Sequence, residues 1–105
     1  MAGSTERSNF LLFINSTTEM IAIPADKVTL ITNEGDTDVA IYFEGDDGAI
    51  GSLNLAVTSE TEDTVIQALA KLLIFGRGVT LVADDVNSIY VDPNITALTA
   101  ITISD

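Results

Sequence analysis

One segment with the periodicity of an α-helix lies between segments with the periodicity of β-strands, and this order constrains the fold more than any other feature. Within that segment, large apolar side chains recur at helical spacing and share one face: Val65, Ile66, Leu69, Leu72 and Leu73. Ser59 and Glu62 match a capping box, and Gly76 stands where a left-handed residue commonly follows a helix. The sequence therefore predicts one helix at about residues 60–75.

Short apolar runs bounded by turn residues predict strands on both sides of this helix. Five runs precede the helix and three follow it, at residues 10–14, 20–23, 27–32, 39–43, 52–57, 79–83, 88–91 and 95–103. The expected fold class is α+β and mainly β: an antiparallel sheet, or a small open barrel or sandwich, with the amphipathic helix packed on it. Residues 1–9 are predicted to form a flexible N-terminal arm, and residues 10–105 a single β-rich domain.

The last apolar run, residues 95–103, has no charged side chain on either face. A strand of that kind is expected to be central in its sheet or buried against a second copy. An apolar content of 47% in a chain of 105 residues also favours burial of apolar surface between copies. We therefore expect a homo-oligomer with candidate interface residues in the first and last strands: Phe10, Leu12, Ile95, Leu98, Ile101 and Ile103.

The charge of the chain excludes two classes of partner. Sixteen Asp and Glu residues face four Lys and Arg residues, which gives a formal net charge of −12. Phosphate backbones and anionic membrane surfaces repel such a protein, so we expect it to bind neither nucleic acid nor membrane. The same charge would weaken self-association at low salt, whereas a basic partner or a salty medium would relieve the repulsion.

The residue types used most often in catalysis are missing from the chain. It has no His and no Cys, which removes the commonest general base, thiol nucleophiles and most transition-metal ligands. Two adjacent carboxylate pairs, Asp46-Asp47 and Asp84-Asp85, are interpreted as solvated turns and not as an acid/base pair. Acidic turns at residues 36–38 and 46–48 offer oxygen ligands, but neither completes a calcium-binding loop, so calcium stays an open alternative. The sequence thus predicts no enzyme and no cofactor.

The segment from Met20 to Phe43 has a distinctive order of elements. It reads as an apolar strand, a Pro-Ala-Asp corner at residues 24–26, a second strand ending in Thr, an acidic turn and an alternating strand. With the helix at "IQALAKLL" and the closing strand, this order resembles small structural proteins of tailed phages, particularly marine cyanobacterial ones. The resemblance spans roughly residues 10–103. It implies a virion component such as a capsid decoration (cement) protein, usually oligomeric and without catalytic residues.

Two functional hypotheses follow from the residues and the resemblance. The first is a virion structural protein, assembled in the host cytoplasm, that binds itself and capsid or other virion proteins through its N-terminal arm and an exposed edge strand. A trimer is expected if the protein occupies threefold positions on a particle. The alternative is a small cytoplasmic interaction or regulatory module whose acidic surface binds a basic protein.

Overall fold

The computed structural model describes residues 9–45 and 49–104, and within them the chain forms eight strands and one α-helix. The strands are β1 (Asn9–Ile14), β2 (Met20–Pro24), β3 (Val28–Gly35), β4 (Asp38–Glu44), β5 (Ile50–Val57), β6 (Gly78–Asp84), β7 (Ile89–Tyr90) and β8 (Ile95–Ser104). The helix α1 spans Glu62–Phe75, and a 3₁₀ turn at Ala25–Lys27 joins β2 to β3. The predicted class, mainly β with one helix packed on the strands, is confirmed.

The described strands form two four-stranded sheets, and they do not close into a barrel. Sheet A has the order β2-β1-β6-β7, and sheet B has the order β3-β4-β5-β8. Sheet B is antiparallel throughout, whereas sheet A is mixed, because β6 pairs with β1 in parallel. Parallel neighbours need a long crossover connection, and here α1 is part of that crossover. The helix packs on β3 and β4, and β6 approaches β8.

A single apolar cluster receives side chains from both sheets and from the helix. Alternate residues of β5 enter this cluster, since Leu53, Leu55 and Val57 are all buried. From the helix, Val65 and Leu69 enter the same cluster. Full burial of a side chain of this size stabilises the fold by about 1.5–3 kcal/mol, so the cluster is the main source of stability.

The start of the helix differs from the predicted capping box. The helix begins at Glu62 after Thr61, and no side chain caps that position. Ser59 lies outside the helix, where its hydroxyl donates to Asp36 Oδ2 at 2.7 Å. The Glu62 carboxylate accepts the backbone N–H of Glu60 at 3.2 Å, whereas the predicted capping box requires the N–H of Ser59. Ser59 is therefore used to join two turns, and the helix starts three residues later.

The end of the helix is fixed by Asn9, the first residue of β1. The Asn9 side-chain amide donates to the carbonyl oxygens of Leu72 at 3.0 Å and Leu73 at 3.3 Å. Gly76 is extended, with φ −69° and ψ 156°, and not left-handed as predicted. A Cβ at this position would lie 2.6 Å from the Leu72 carbonyl oxygen and 2.9 Å from Asn9 Oδ1. Glycine is required here for the close approach of β1, and not for its backbone conformation.

Two predicted segments fall wholly or partly outside the described residues. The N-terminal arm was predicted to include Asn9, which instead begins β1, and residues 1–8 lie outside the described residues. The acidic hairpin turn at residues 46–48 also lies outside them. On either side of that turn, the Gly45 N–H donates to the Ala49 carbonyl at 2.7 Å, and β4 pairs with β5 in continuous antiparallel register, as a hairpin requires.

Gly51 in β5 provides a test of core packing. A Cβ at Gly51 would lie 2.3 Å and 2.4 Å from two ring carbons of the buried Phe43. We expect Gly51→Ala to lower the free energy of unfolding by about 1–3 kcal/mol, because the ring must move within a packed core. Urea unfolding followed by circular dichroism measures the change.

Gly35→Ala is the matched control for that substitution. The nearest atom to a Cβ at Gly35 is 3.9 Å away, and its φ is not positive. This variant should be as stable as the wild type or slightly more so, because alanine restricts the unfolded chain. Equal destabilisation by the two substitutions would contradict the proposed clash with Phe43.

Candidate interaction surface

The strand β8 lies at an edge of sheet B and pairs only with β5 among the described strands. Of the two alternatives expected for this strand, a central position is therefore wrong, and burial against a second copy stays a prediction. The observation behind both stands, since none of the ten residues of β8 is charged. An edge strand presents one row of backbone N–H and C=O groups that its own sheet does not use. β8 therefore combines an open edge with a sequence that contains no charge to keep other strands away.

The three other edge strands have features that usually prevent pairing with another chain. β2 has five residues and ends at Pro24. β7 has only two residues. β3 has two irregularities in its register with β4 and carries the charged residue Glu34. β8 is thus the longest of the four edge strands. Apart from the two-residue β7, it is also the only one of the four that contains neither a charged residue nor a proline.

Two bulges interrupt the first half of β8. The register with β5 skips Thr99 and Thr96, and each threonine hydroxyl donates to a β5 carbonyl at 3.2 Å. Because each bulge adds one residue, Ile95 and Leu98 both point into the core although they are three residues apart. Strict alternation of faces therefore does not hold along this strand. The spacing of three between the large residues at 95, 98 and 101 was the sequence signal for the bulges.

A side chain from the turn after β6 accepts a backbone hydrogen bond from β8 next to the bulge at Thr99. The Asp85 carboxylate accepts the backbone N–H of Leu98 at 3.0 Å, and it also accepts the Tyr90 hydroxyl at 2.7 Å. A charged acceptor makes a stronger hydrogen bond than a neutral one, so this contact ties the turn after β6 to β8. The Leu98 N–H is therefore not available for a hydrogen bond to another strand.

The second half of β8, residues 100–104, is regular. It pairs one-to-one with residues 54 to 50 of β5 and contains no bulge. Ile103 is 58% exposed here, and Ile50 on the neighbouring strand is also exposed. An open groove of about 520 Å³ separates this end of β8 from β2 and is lined by Ile23, Phe43 and Ile103, among others. Residues 100–104 are therefore the regular part of this edge.

The six predicted interface residues are not brought together. Ile95 and Leu98 are each only 2% exposed, because the core of a single chain buries them. Phe10 and Leu12 are half-buried in β1, whose two edges are already paired with β2 and β6. The remaining two lie in the regular half of β8, where Ile101 packs against the core and Ile103 is exposed. Burial of Ile95 and Leu98 thus requires no second copy.

The pair Asp84-Asp85, interpreted from the sequence as a solvated turn, is a structural element. Asp84 is buried, and its carboxylate accepts the backbone N–H groups of Val86 and Asn87 and the side-chain amide of Asn87. The bond from the Asn87 side chain is the main reason that the pKa of Asp84 is lowered, although burial opposes it. Because all of these donors stabilise the ionised form of Asp84, its carboxylate stabilises the turn between β6 and β7. The solvated interpretation is therefore wrong at Asp84.

The other acidic turns are also engaged in hydrogen bonds. Asp36 accepts the Ser59 hydroxyl, and Asp38 accepts the side-chain amide of Asn54 at 3.1 Å. Within residues 9–45 and 49–104, no group of three or more acidic side chains is arranged to hold a metal ion. In the same part of the chain, no helix is long and apolar enough to cross a membrane.

The charges are divided unequally between the two ends of the molecule. We call one the basic end: here β1 and β6 begin, β2 and β8 end, and α1 terminates. It carries all the Lys and Arg residues that the structure describes, Lys27, Lys71 and Arg77, together with two described carboxylates, Asp26 and Glu44. In the sequence, the acidic residues Asp46, Asp47 and Asp105, which lie outside the described part, adjoin the same elements. We call the other the acidic end, formed by the opposite ends of the same elements. It carries no Lys or Arg among the described residues and ten carboxylates: Glu19, Glu34, Asp36, Asp38, Glu60, Glu62, Asp63, Asp84, Asp85 and Asp92.

Exposed apolar side chains accompany the charges at each end. At the basic end, Ile74, Phe75 and Val79 are exposed next to Arg77, and Phe75 is the most exposed large apolar residue described, at 72%. At the acidic end, Met20, Val86, Ile89 and Val91 are exposed near the turns that carry the carboxylates. Scattered apolar residues are normal on a surface, whereas larger contiguous apolar patches rimmed by polar residues are typical of contact sites.

No protein-family model, curated protein or solved structure matches the chain. The resemblance to phage structural proteins therefore stays a prediction from the sequence. The fold and the surfaces described above are the observations from which a function is proposed.

Tyr90 reports on the contact between the β6–β7 turn and β8. Burial and the hydrogen bond to Asp85 raise the pKa of Tyr90 to about 12. Because this pKa is raised on folding, the stabilisation is complete below pH 10 and is lost as the pH rises from about 10 to about 12. We expect the stability of the wild type to fall more steeply over that range than the stability of Tyr90→Phe.

Two measurements test this expectation. Urea unfolding midpoints as a function of pH give the difference between the wild type and Tyr90→Phe. The ultraviolet absorbance of tyrosinate gives the titration directly, and Tyr90→Phe assigns it, because Tyr42 also has a raised pKa through its hydrogen bond to Glu34. A Tyr90 that titrates at the ordinary value of 10 would contradict the described contact.

Proposed function

We propose that this chain is a non-enzymatic structural protein that self-associates through β8 and forms part of the surface of a virus particle, as a capsid decoration component does. The observation that carries the proposal is the regular, uncharged edge at residues 100–104 of β8. Native proteins protect exposed edges of this kind, so one left open is a candidate for pairing with another chain.

Pairing between two copies has a defined geometry. Two identical edge segments align antiparallel about a twofold axis, and each uses the same residues. Sheet B of one copy would continue into sheet B of the other, with main-chain hydrogen bonds between the two β8 strands. Ile103, exposed in a single chain, lies where the second copy would cover it. This contact produces pairs, so a trimer would need a different surface.

The assignment to a virus particle is supported by the order of elements in residues 20–43 and by the need for many copies. A five-residue edge gives a small interface, and a protein with such an interface binds firmly when a symmetric surface presents many copies at once. Capsid surfaces supply that multiplicity. Detection of the protein by mass spectrometry in purified particles of the virus that encodes it would test the assignment.

A second candidate function is supported by the acidic end. Its ten carboxylates, without a described Lys or Arg, form a surface suited to steering a basic protein towards the chain. In that case the protein is a cytoplasmic interaction module. Its complex would weaken steeply as salt increases, whereas pairing through the uncharged β8 edge would persist at about 0.5 M salt, where the screening length is a few ångströms.

Thr102→Lys tests the β8 contact. Thr102 is exposed in the regular half of the strand, and lysine on an edge strand is a device by which proteins prevent edge pairing. We expect the wild type to form dimers at micromolar concentration and about 0.5 M salt. Thr102→Lys should raise the dissociation constant of the dimer by about tenfold or more, because the twofold contact brings two like charges together. Sedimentation equilibrium measures the dissociation constant.

Asn33→Lys is the matched control. Asn33 is exposed on β3, the opposite edge of the same sheet, and the substitution adds the same charge. This variant should associate like the wild type. A wild type that is monomeric under these conditions, or an equal effect of the two substitutions, would contradict the role proposed for β8.

A further inference from the structure

Sheet A has an apolar surface on the side that faces away from the core. In its internal strand β1, Leu11 and Phe13 are buried in the apolar cluster, so Phe10, Leu12 and Ile14 point to the opposite side of the sheet. These three side chains are half-buried, and none of them packs against the cluster. β1 is therefore apolar on both of its faces.

The strands on either side of β1 extend this surface. On β2, Met20 pairs with Ile14 and is exposed. Ala22 pairs with Leu12 and is exposed as well. On β6, Val79 pairs with Phe10 and is 64% exposed. We call this surface the apolar face of sheet A, and it consists of Phe10, Leu12, Ile14, Met20, Ala22 and Val79.

The outward face of sheet B is polar by comparison. On β5, where buried and half-buried residues alternate, Ser52 and Asn54 point away from the core. On β8, Thr102 pairs with Ser52 and is exposed. Polar side chains are usual where one face of a sheet meets water. Contiguous apolar surface in that place is typical of a contact with another molecule.

The parts of the chain outside the described residues contain too little apolar side chain to cover the apolar face. Residues 1–8, which precede β1, include one Glu, one Arg and a single large apolar residue, Met1. Residues 46–48 and Asp105 adjoin strands of sheet B and contain no apolar side chain. The apolar side chains that would bury the face must therefore come from another molecule.

We propose that the apolar face of sheet A packs on the same face of a second copy. A chain with a net charge of −12 repels its own kind wherever charged surfaces meet. In the four strands of sheet A the one charged residue is Asp84, which is 3% exposed and bound by its own donors. Two such faces therefore meet without an exposed strand carboxylate between them. A charged partner finds no opposite charge to pair with on these strands, whereas every copy of the chain carries a matching apolar face.

Packing of this kind has a known geometry. Two sheets that pack face to face lie about 10 Å apart, with strand directions within about 30° of each other. The contact relates two copies by a twofold axis and uses the same residues of each. It is separate from pairing through β8, which belongs to sheet B. A copy that makes both contacts has one neighbour on each sheet, so the two contacts together link copies into a row.

Met20→Lys tests the contact. Met20 is 53% exposed, so the substitution spares the core and puts an ammonium group into the proposed interface. All chains in this experiment also carry Thr102→Lys, which removes pairing through β8. We expect this parent chain to form dimers at submillimolar concentration and about 0.5 M salt, which screens the charges around the face. Met20→Lys should raise the dissociation constant about tenfold or more, because apolar contact is lost on both copies. Sedimentation equilibrium measures the change.

Leu30→Lys is the matched control. Leu30 is also 53% exposed and lies on β3, an edge strand of sheet B, as Met20 lies on an edge strand of sheet A. The two substitutions replace equally exposed apolar side chains and change the net charge of the chain equally. Leu30→Lys should associate like the parent chain. Circular dichroism confirms that both variants are folded.

A single thiol on the apolar face identifies what covers it. The chain has no Cys, so Ala22→Cys and Leu30→Cys each introduce one thiol into the parent chain. The rate at which iodoacetamide alkylates Ala22→Cys should fall about threefold or more between micromolar and submillimolar protein, in proportion to the paired fraction. Leu30→Cys should react at the same rate throughout this range.

Four results would overturn the proposal. Slow alkylation of Ala22→Cys at every concentration would mean that the chain's own residues cover the face. Fast alkylation at every concentration would mean that no second copy covers it. Equal effects of Met20→Lys and Leu30→Lys, or association that weakens as salt increases, would also contradict the contact. None of these results bears on β8, whose test is the comparison of Thr102→Lys with Asn33→Lys.

Discussion

The parallel pairing of β1 with β6 is the constraint on which the rest of the structure depends. β1 is the first described strand and β6 follows the helix, so this pair joins the beginning of the chain to its last third. The crossover requires α1 to end where β1 begins, and Asn9 enforces this by binding the last helical carbonyls. The same pairing gives the molecule a direction, because it gathers the starts of both strands at one end and the acidic turns at the other.

Local patterns in the sequence predicted the elements well and their arrangement poorly. The helix and the strands around it follow from the spacing of apolar residues, as Leu53, Leu55 and Val57 on the buried face of β5 illustrate. The partition into two sheets, with β1 beside β6, depends on contacts between residues more than sixty positions apart. No local pattern contains that information. The capping box at Ser59 failed for a related reason, since its hydroxyl is engaged by Asp36 from a distant turn.

The candidate surface was predicted in part, for reasons that concern individual side chains. The absence of charge in β8 was visible in the sequence, and it remains the basis of the proposed contact. The sequence did not show which residues of β8 are accessible, because the bulges at Thr96 and Thr99 direct Ile95 and Leu98 into the core. The sequence interpreted Asp85 as part of a solvated turn, because its actual role depends on the proximity of Tyr90 and Leu98, which only the tertiary structure creates. The division of charge between the two ends likewise follows from the topology and not from the order of residues.

The bulges in β8 also bear on the risk of fibril formation. A long, flat, uncharged edge is a template on which identical strands can stack without limit. In β8 the bulges and the Asp85 carboxylate interrupt that template, so only five residues in a row remain straight and available. This regular stretch is shorter than the about six or seven residues typical of a cross-β segment. The irregular half of the strand therefore limits the length of the regular edge to residues 100–104.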